Sequence, residues 1–216
     1  MIRLHHCPQT RSMRSLWLLH ELGVDFDVVE YPFDKTLREE PYRSLNPTGR
    51  VPTLEIDGVV LTESGAIAEY LCERFPTAGL GREPSHAERA PWLNWIHFAE
   101  TISQHTAALT QQHIALYEAH MRSPIIMQLE AKRLAKTLAT LEQRLEGDYL
   151  LPTFSAADIG VGQAVYMARH FVALDPFPHV SDWFARLEAR DAYQRSLPDG
   201  PGLYARDFYP PWEVKA

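Results

Sequence analysis

Cysteine is scarce in this chain. Cys7 and Cys72 are the only two among 216 residues, too few for the disulfide framework of a small secreted domain. Positive charge is not in excess either. The chain has 21 Lys and Arg against 28 Asp and Glu, for a net charge of −7 and a pI near 5.8. That balance lacks the basic footprint of a nucleic-acid binder or of a protein drawn to anionic lipid. No apolar run approaches the roughly 20 residues of a membrane-spanning helix. Met1-Ile2-Arg3-Leu4-His5-His6 has no apolar export core. Repeats and low-complexity tracts are also absent. The expectation is a cytoplasmic protein with no nucleic-acid or membrane partner. Hydrophobic residues make up 45% and charged residues 23%, which supplies a sizeable core for one large domain or two small ones.

The first third alternates strand and helix signals. Ile2 to His5 reads as a strand, Pro8 to Ser12 breaks the pattern, the run "SMRSLWLLHELG" reads as a helix ending at Gly23, and Phe26 to Glu30 as a second strand. Lys35 to Leu45 is polar and weakly helical. Thr53 to Ile56 and Val59 to Leu61 are strands joined by Asp57-Gly58, a hairpin turn signal. Ala66 to Arg74 is a third helix. This β-α-β-α-β-β-α order is that of an α/β, thioredoxin-like domain, placed at residues 1–75. Pro and Gly concentrate in the linker 76–85, within "FPTAGLGREPS". Residues 86–216 then read as an all-α helical bundle, with helices over His86 to His113, Pro124 to Glu146, Ser155 to Phe171 and Val180 to Arg190. The Pro-rich tail with Tyr209-Pro210-Pro211-Trp212 is expected to fold back over a cleft. Ser155 and Asp158 have the spacing of a capping box, flanked by Phe154 and Ile159 as a hydrophobic staple. Their expected role is in folding.

The most informative segment is Asn46-Pro47-Thr48-Gly49-Arg50-Val51-Pro52-Thr53-Leu54, followed by Glu63-Ser64. Val51-Pro52 entering a strand is a candidate cis peptide. Val51 then offers a backbone edge to an extended peptide, and the helix that opens at Glu63-Ser64 offers N–H groups to a carboxylate. Over this motif and its continuation "LTESGAIAEYL" the chain resembles the bacterial-type cytosolic glutathione S-transferases. The resemblance implies glutathione as co-substrate, a small apolar electrophile as second substrate, and a homodimer. It assigns the cysteinyl part of glutathione to the Val51 backbone beside Pro52, the γ-glutamyl amine to Glu63, and the γ-glutamyl carboxylate to Ser64. Arg50 would take the glycyl carboxylate bidentately. Lys35 and Arg38 are further possible contacts, against the plainer reading of solvated charges.

Such an enzyme must ionise a thiol whose free pKa is about 8.5. A donated hydroxyl and a helix N-terminus both favour the thiolate. In the Ser-type branches of the family the activating hydroxyl stands four or five residues before an Arg, which Arg14 matches. Thr10 is then the first candidate and Ser12 the second, with an ordinary helix cap as the competing reading of Ser12. Arg11 is a possible source of positive charge. Cys7-Pro8-Gln9-Thr10 resembles the "Cys-Pro-x-Ser" of glutaredoxins and Cys-type transferases and supports an alternative, a glutathione-dependent oxidoreductase using Cys7. Counted back from Gly23, however, the family's catalytic Cys falls on Gln9 or Arg11, after Cys7. Cys72 reads as structural. A non-catalytic binding or regulatory module is the second alternative, against which stand the retained Val51-Pro52 and Glu63-Ser64. The electrophile is expected between the domains, with His105, Tyr117, Met121, Tyr166 and Phe208 as lining candidates. His97, His105 and His113 lie eight apart, unlike the i, i+4 pair of a helical zinc site, so no metal is expected.

Overall fold

The computed structural model describes residues 1–200, 202–204, 207, 208 and 210. Of the tail segment expected to fold back, Tyr209, Pro211 and Trp212 lie outside the described residues. Among the described residues, four strands and eight α-helices make up the main regular structure: β1 (Ile2–His6), α1 (Ser12–Leu22), β2 (Asp27–Glu30), α2 (Tyr42–Leu45), β3 (Thr53–Ile56), β4 (Val59–Leu61), α3 (Ser64–Arg74), α4 (Arg89–Thr110), α5 (Pro124–Arg144), α6 (Ala156–Ala168), α7 (Pro178–Glu188) and α8 (Asp191–Gln194). This is the thioredoxin-like α/β arrangement followed by helices.

The sheet runs β2-β1-β3-β4. β1 pairs parallel with β2 and antiparallel with β3, with Leu4 opposite both Val28 and Leu54. β3 and β4 form a hairpin in which Asp57 and Gly58 hold φ of 50° and 83°. Two successive positive φ values match the right-handed strand twist, and this is why the turn carries Asp-Gly. Leu4, Leu54 and Ile56 on the sheet and Met13, Trp17, Leu19, Ile67 and Leu71 on α1 and α3 are buried together as core.

By contacts the chain divides into two units, Met1–Trp92 with Glu188–Leu203, and Leu93–Leu187 with Tyr204–Ala216. By contacts Glu188–Leu203 groups with the first unit, although it follows the helical segment in sequence. The reason is local. Arg190 forms a two-pronged ion pair with Glu21 of α1, at 2.6 and 2.7 Å, and the Tyr193 ring stands edge-on to Trp17 at 5.0 Å. Several helix boundaries also differ from those expected, two of them for local reasons. α3 begins at Ser64 because Glu63 takes the extended cap conformation, and α4 ends at Thr110, where a π-type turn carries the chain to Ala115.

The second unit is helical, with Ile102, Leu109, Leu134, Leu138, Leu141, Val165 and Trp183 fully or nearly fully enclosed. At the start of α6 the capping box forms as the spacing predicts. Asp158 also accepts the Leu150 N–H at 2.9 Å and the Trp183 indole N–H at 3.0 Å. The box is thus the centre of a buried knot tying α6, α7 and the preceding loop. Burial pushes the Asp158 carboxyl upward, against the donors that pull it down. Among the described residues no helix is long and apolar enough to cross a membrane.

Candidate glutathione site

Three segments of the first unit meet at one end of the sheet. The register sets His5, near the end of β1, opposite Thr53, the start of β3. The loop from β1 to α1 therefore emerges beside the Val51-Pro52 segment. The third segment, the N-terminus of α3, is joined to α1 by Arg14, whose Nη1 donates to Ser64 Oγ at 3.2 Å. Arg14 is buried, so its guanidinium charge lies inside this region.

The loop Asn46–Pro52 is shaped by its own side chains. Asn46 Oδ1 accepts from the Thr48 N–H at 3.1 Å and the Thr48 hydroxyl at 2.7 Å, an Asx-type turn. Its Nδ2 donates to the Arg50 carbonyl at 2.8 Å and to Thr53 Oγ1 at 3.0 Å. Tyr42 Oη bonds the same two groups. Gly49 holds φ 61°, and a Cβ there would lie 2.9 Å from the Leu37 carbonyl oxygen; only glycine fits. The Val51–Pro52 bond is cis, as is Glu40–Pro41. Asn46, Tyr42 and Thr53 were missed as site-builders from sequence, although the turn signal Asn46-Pro47-Thr48-Gly49 was there to be read. The Arg50 side chain is exposed and Val51 half-buried. Lys35 pairs on the surface with Glu39 at 3.6 Å, and Arg38 is exposed.

At α3, Glu63 is the cap residue, yet its side chain makes no capping bond. Glu63 is exposed and Ser64 is buried at the first helical position. The free N–H groups of this 11-residue helix begin there.

In the β1–α1 loop the two hydroxyls take different places. Ser12 Oγ is fully enclosed. It accepts the Cys7 N–H at 3.1 Å and lies 2.8 Å from His6 Nδ1, 2.9 Å from Thr10 Oγ1 and 3.1 Å from the Cys7 carbonyl. One donor and two acceptor positions are thereby used up. Thr10 is half-buried at the rim, and its hydroxyl donates to the Cys7 carbonyl at 2.8 Å. Ser12 is not the helix cap expected as its plainer reading; Arg11 holds that position. His6 is pushed down to about 4 by burial, so it is neutral at pH 7. Cys7 is 1% exposed, and burial, with the Glu30 and Asp34 carboxylates adding to it, pushes its thiol up to about 11. A reactive thiolate requires the opposite shift, which counts against Cys7 as the nucleophile of an oxidoreductase. Cys72 is likewise buried, its thiol raised to about 12 by burial.

The five lining candidates for an electrophile all lie in the second unit. Tyr166 and Phe208 gather around one aromatic cluster, Tyr166 against His170 and Phe208 against Phe171 and His113. His105 is engaged by Glu130 at 2.7 Å. Tyr117 and Met121 are exposed. Among the described residues no group of three His, Cys, Asp or Glu is placed to hold a metal.

Comparison with known proteins extends this geometry. Residues 1–73 match the family model "Glutathione S-transferase, N-terminal domain" and residues 111–186 match "Glutathione S-transferase, C-terminal domain". The glutathione S-transferase-like protein OpS6 of Beauveria bassiana is 30% identical over 192 residues, spanning 82% of this chain and 85% of its own. Glutathione S-transferase 3 of Schizosaccharomyces pombe is 25% identical over 205 residues, spanning 89% and 85%. Among solved structures, a sphingomonad glutathione S-transferase complexed with glutathione superposes with a TM-score of 0.77 at 25% identity, covering 90% of this chain and 96% of that one. A thioredoxin-like unit with a cis Val51–Pro52 and a helix opening on Glu63-Ser64, followed by helices, accords with these matches, and the chain belongs to the glutathione S-transferase family.

Proposed function

We propose that this protein is a catalytic glutathione transferase that adds the thiolate of glutathione to a small apolar electrophile. The observation that carries this reading is the meeting, at one sheet end, of a rim hydroxyl on Thr10, the Val51-Pro52 edge and the Glu63-Ser64 helix start. With glutathione bound, the Thr10 hydroxyl turns its one hydrogen from the Cys7 carbonyl to the glutathione sulfur, and the positive end of α1 adds to it. Ser12 supports the loop from beneath. The Val51 backbone pairs with the cysteinyl unit beside Pro52, Glu63 takes the γ-glutamyl amine, and Ser64, held by Arg14, takes the γ-glutamyl carboxylate. Arg50 takes the glycyl carboxylate. The bound sphingomonad relative supports glutathione as the ligand. In the reaction the thiol proton passes to solvent, the sulfur forms a bond to the electrophilic carbon, and any leaving group departs with its electron pair. Holding both reactants supplies most of the acceleration.

The protein works in the cytoplasm as a homodimer. Exposed Ile125, Ile126 and Leu129 on α5 and Val59 and Val60 on β4 are apolar surface of the kind that subunit contacts cover.

The test is the ultraviolet thiolate absorbance of bound glutathione against pH. A hydrogen bond to a charged group is worth about 1.5–3 kcal/mol. Thr10→Ala should therefore raise the bound-thiol pKa by about one to two units and lower kcat/KM at neutral pH by about ten- to a hundredfold. Glutathione that binds without ionising, or a Thr10→Ala curve that coincides with wild type, would refute the assignment.

A further inference from the structure

The segment Glu188–Leu203 is a C-terminal arm of the first unit. Its near end is fastened to α1 by the Arg190–Glu21 pair, and Glu21 also accepts the Trp17 indole N–H at 2.9 Å. Its far end reaches the β1–α1 loop. A Cβ on Gly202 would lie 1.9 Å from Gln9 Oε1, 2.3 Å from Cδ and 2.7 Å from Nε2. The arm's backbone thus rests directly on the Gln9 side chain. Gln9 immediately precedes Thr10, is 6% exposed and holds a φ of 54°. Non-glycine residues rarely adopt that conformation, and it persists only where surroundings hold it. A surface glutamine would swing away from an added methyl group. Gln9 is enclosed, so its side chain must find a new place within the packed loop to admit that methyl group.

We propose that Gly202 is a positioning residue: the arm, seated without a side chain on Gln9, holds the β1–α1 loop so that the Thr10 oxygen stands at the rim, where its hydroxyl can turn from the Cys7 carbonyl to the glutathione sulfur. The proposal rests on the Thr10 reading above. It makes the end of the arm part of what sets thiol ionisation, although Gly202 touches neither substrate.

The experiment measures the bound-glutathione thiolate signal against pH, with kcat and KM, in wild type, Gly202→Ala and Gly202→Ala with Gln9→Asn. Gly202→Ala should raise the bound-thiol pKa by about one unit and lower kcat at neutral pH by about tenfold. KM for glutathione should change by less than about twofold, because the Arg50–Pro52 loop and the α3 start are untouched. Asparagine at position 9 is one carbon shorter and tolerates positive φ, so the double variant should return to within about threefold of wild type. A merely structural role would lower the Tm of Gly202→Ala without moving the thiol pKa, and that result overturns the proposal, as does a failure of Gln9→Asn to rescue. If Gly202→Ala does not fold, Arg190→Gln, which loosens the other end of the arm, should shift the thiol pKa in the same direction; a wild-type pKa there overturns the proposal. If wild type itself binds glutathione without ionising it, the Thr10 reading falls and takes the arm with it. If wild type ionises glutathione and Gly202→Ala does so equally, the arm proposal falls alone.

Discussion

Each unit has a buried polar knot at the start of a helix, and the two are closed differently. At α6, Asp158 is fully enclosed and takes the N–H groups of Leu150 and Ser155 and the indole N–H of Trp183. At α1, Ser12 is just as enclosed, ringed by His6, Cys7 and Thr10. The first knot ends inside the protein. The second continues to Thr10 at the rim, which is where a ligand can meet it. A closed knot fixes elements relative to one another. A knot with one member at the surface fixes the geometry of that member, which is what a catalytic hydroxyl needs.

The largest effect should come from breaking the closed knot. Asp158→Ala strands three buried donors and removes the capping box. A buried donor left without its acceptor costs about 1–3 kcal/mol, so the loss should exceed the roughly 1 kcal/mol of an isolated cap. Urea unfolding should show that loss, while the thiolate pKa of glutathione bound to the protein that remains folded stays at the wild-type value. A shift in that pKa would mean that the two knots are not separate in function.

The second effect distinguishes the knots by acid. Burial holds the folded His6 pKa near 4 against an ordinary value of 6.5. Between those values the unfolded chain binds a proton that the folded chain refuses, so stability rises with pH across this window and is lost as pH falls from 6.5 toward 4. At 1.36 kcal/mol per unit the loss is about 3 kcal/mol. His6→Asn keeps a polar atom near the Nδ1 position and does not titrate. The stability gap between wild type and variant should therefore close by about that amount from pH 7 to pH 4. Parallel stability curves would show that His6 is protonated in the folded state and that the α1 knot is open to water.

These contrasts show what could be read beforehand. The Asp57-Gly58 hairpin, the Ser155–Asp158 box and the Asn46–Pro52 loop were legible because each depends on residues close in sequence whose chemistry permits few conformations. The candidate site was legible where it is built from such local units, at Val51-Pro52 and at Glu63-Ser64. What was not legible depends on contacts made across the chain. Nothing local says that Arg190 will find Glu21, 169 residues away. Nothing local distinguishes a hydroxyl at the start of α1 that faces inward, like Ser12, from one at the rim, like Thr10; burial decides that, and burial is a property of the whole fold.

Cys7 should give the smallest effect. It lies in the same loop as Thr10 and Ser12, but its Sγ makes a long 3.9 Å contact with the Pro8 carbonyl, and its thiol is raised to about 11. At neutral pH a thiol of that pKa is ionised to about one part in ten thousand. Cys7→Ala should therefore leave kcat, KM and the bound-glutathione pKa unchanged, at a packing cost of about 1 kcal/mol for the lost sulfur. Native protein should also resist iodoacetamide at pH 7.5, since Cys72 is equally buried and raised to about 12. Rapid alkylation of Cys7 with parallel loss of activity, or a disulfide-exchange activity that Cys7→Ala abolishes, would move the working atom of the loop from a hydroxyl oxygen to a sulfur. The second knot would then serve to hold a nucleophile instead of a donor.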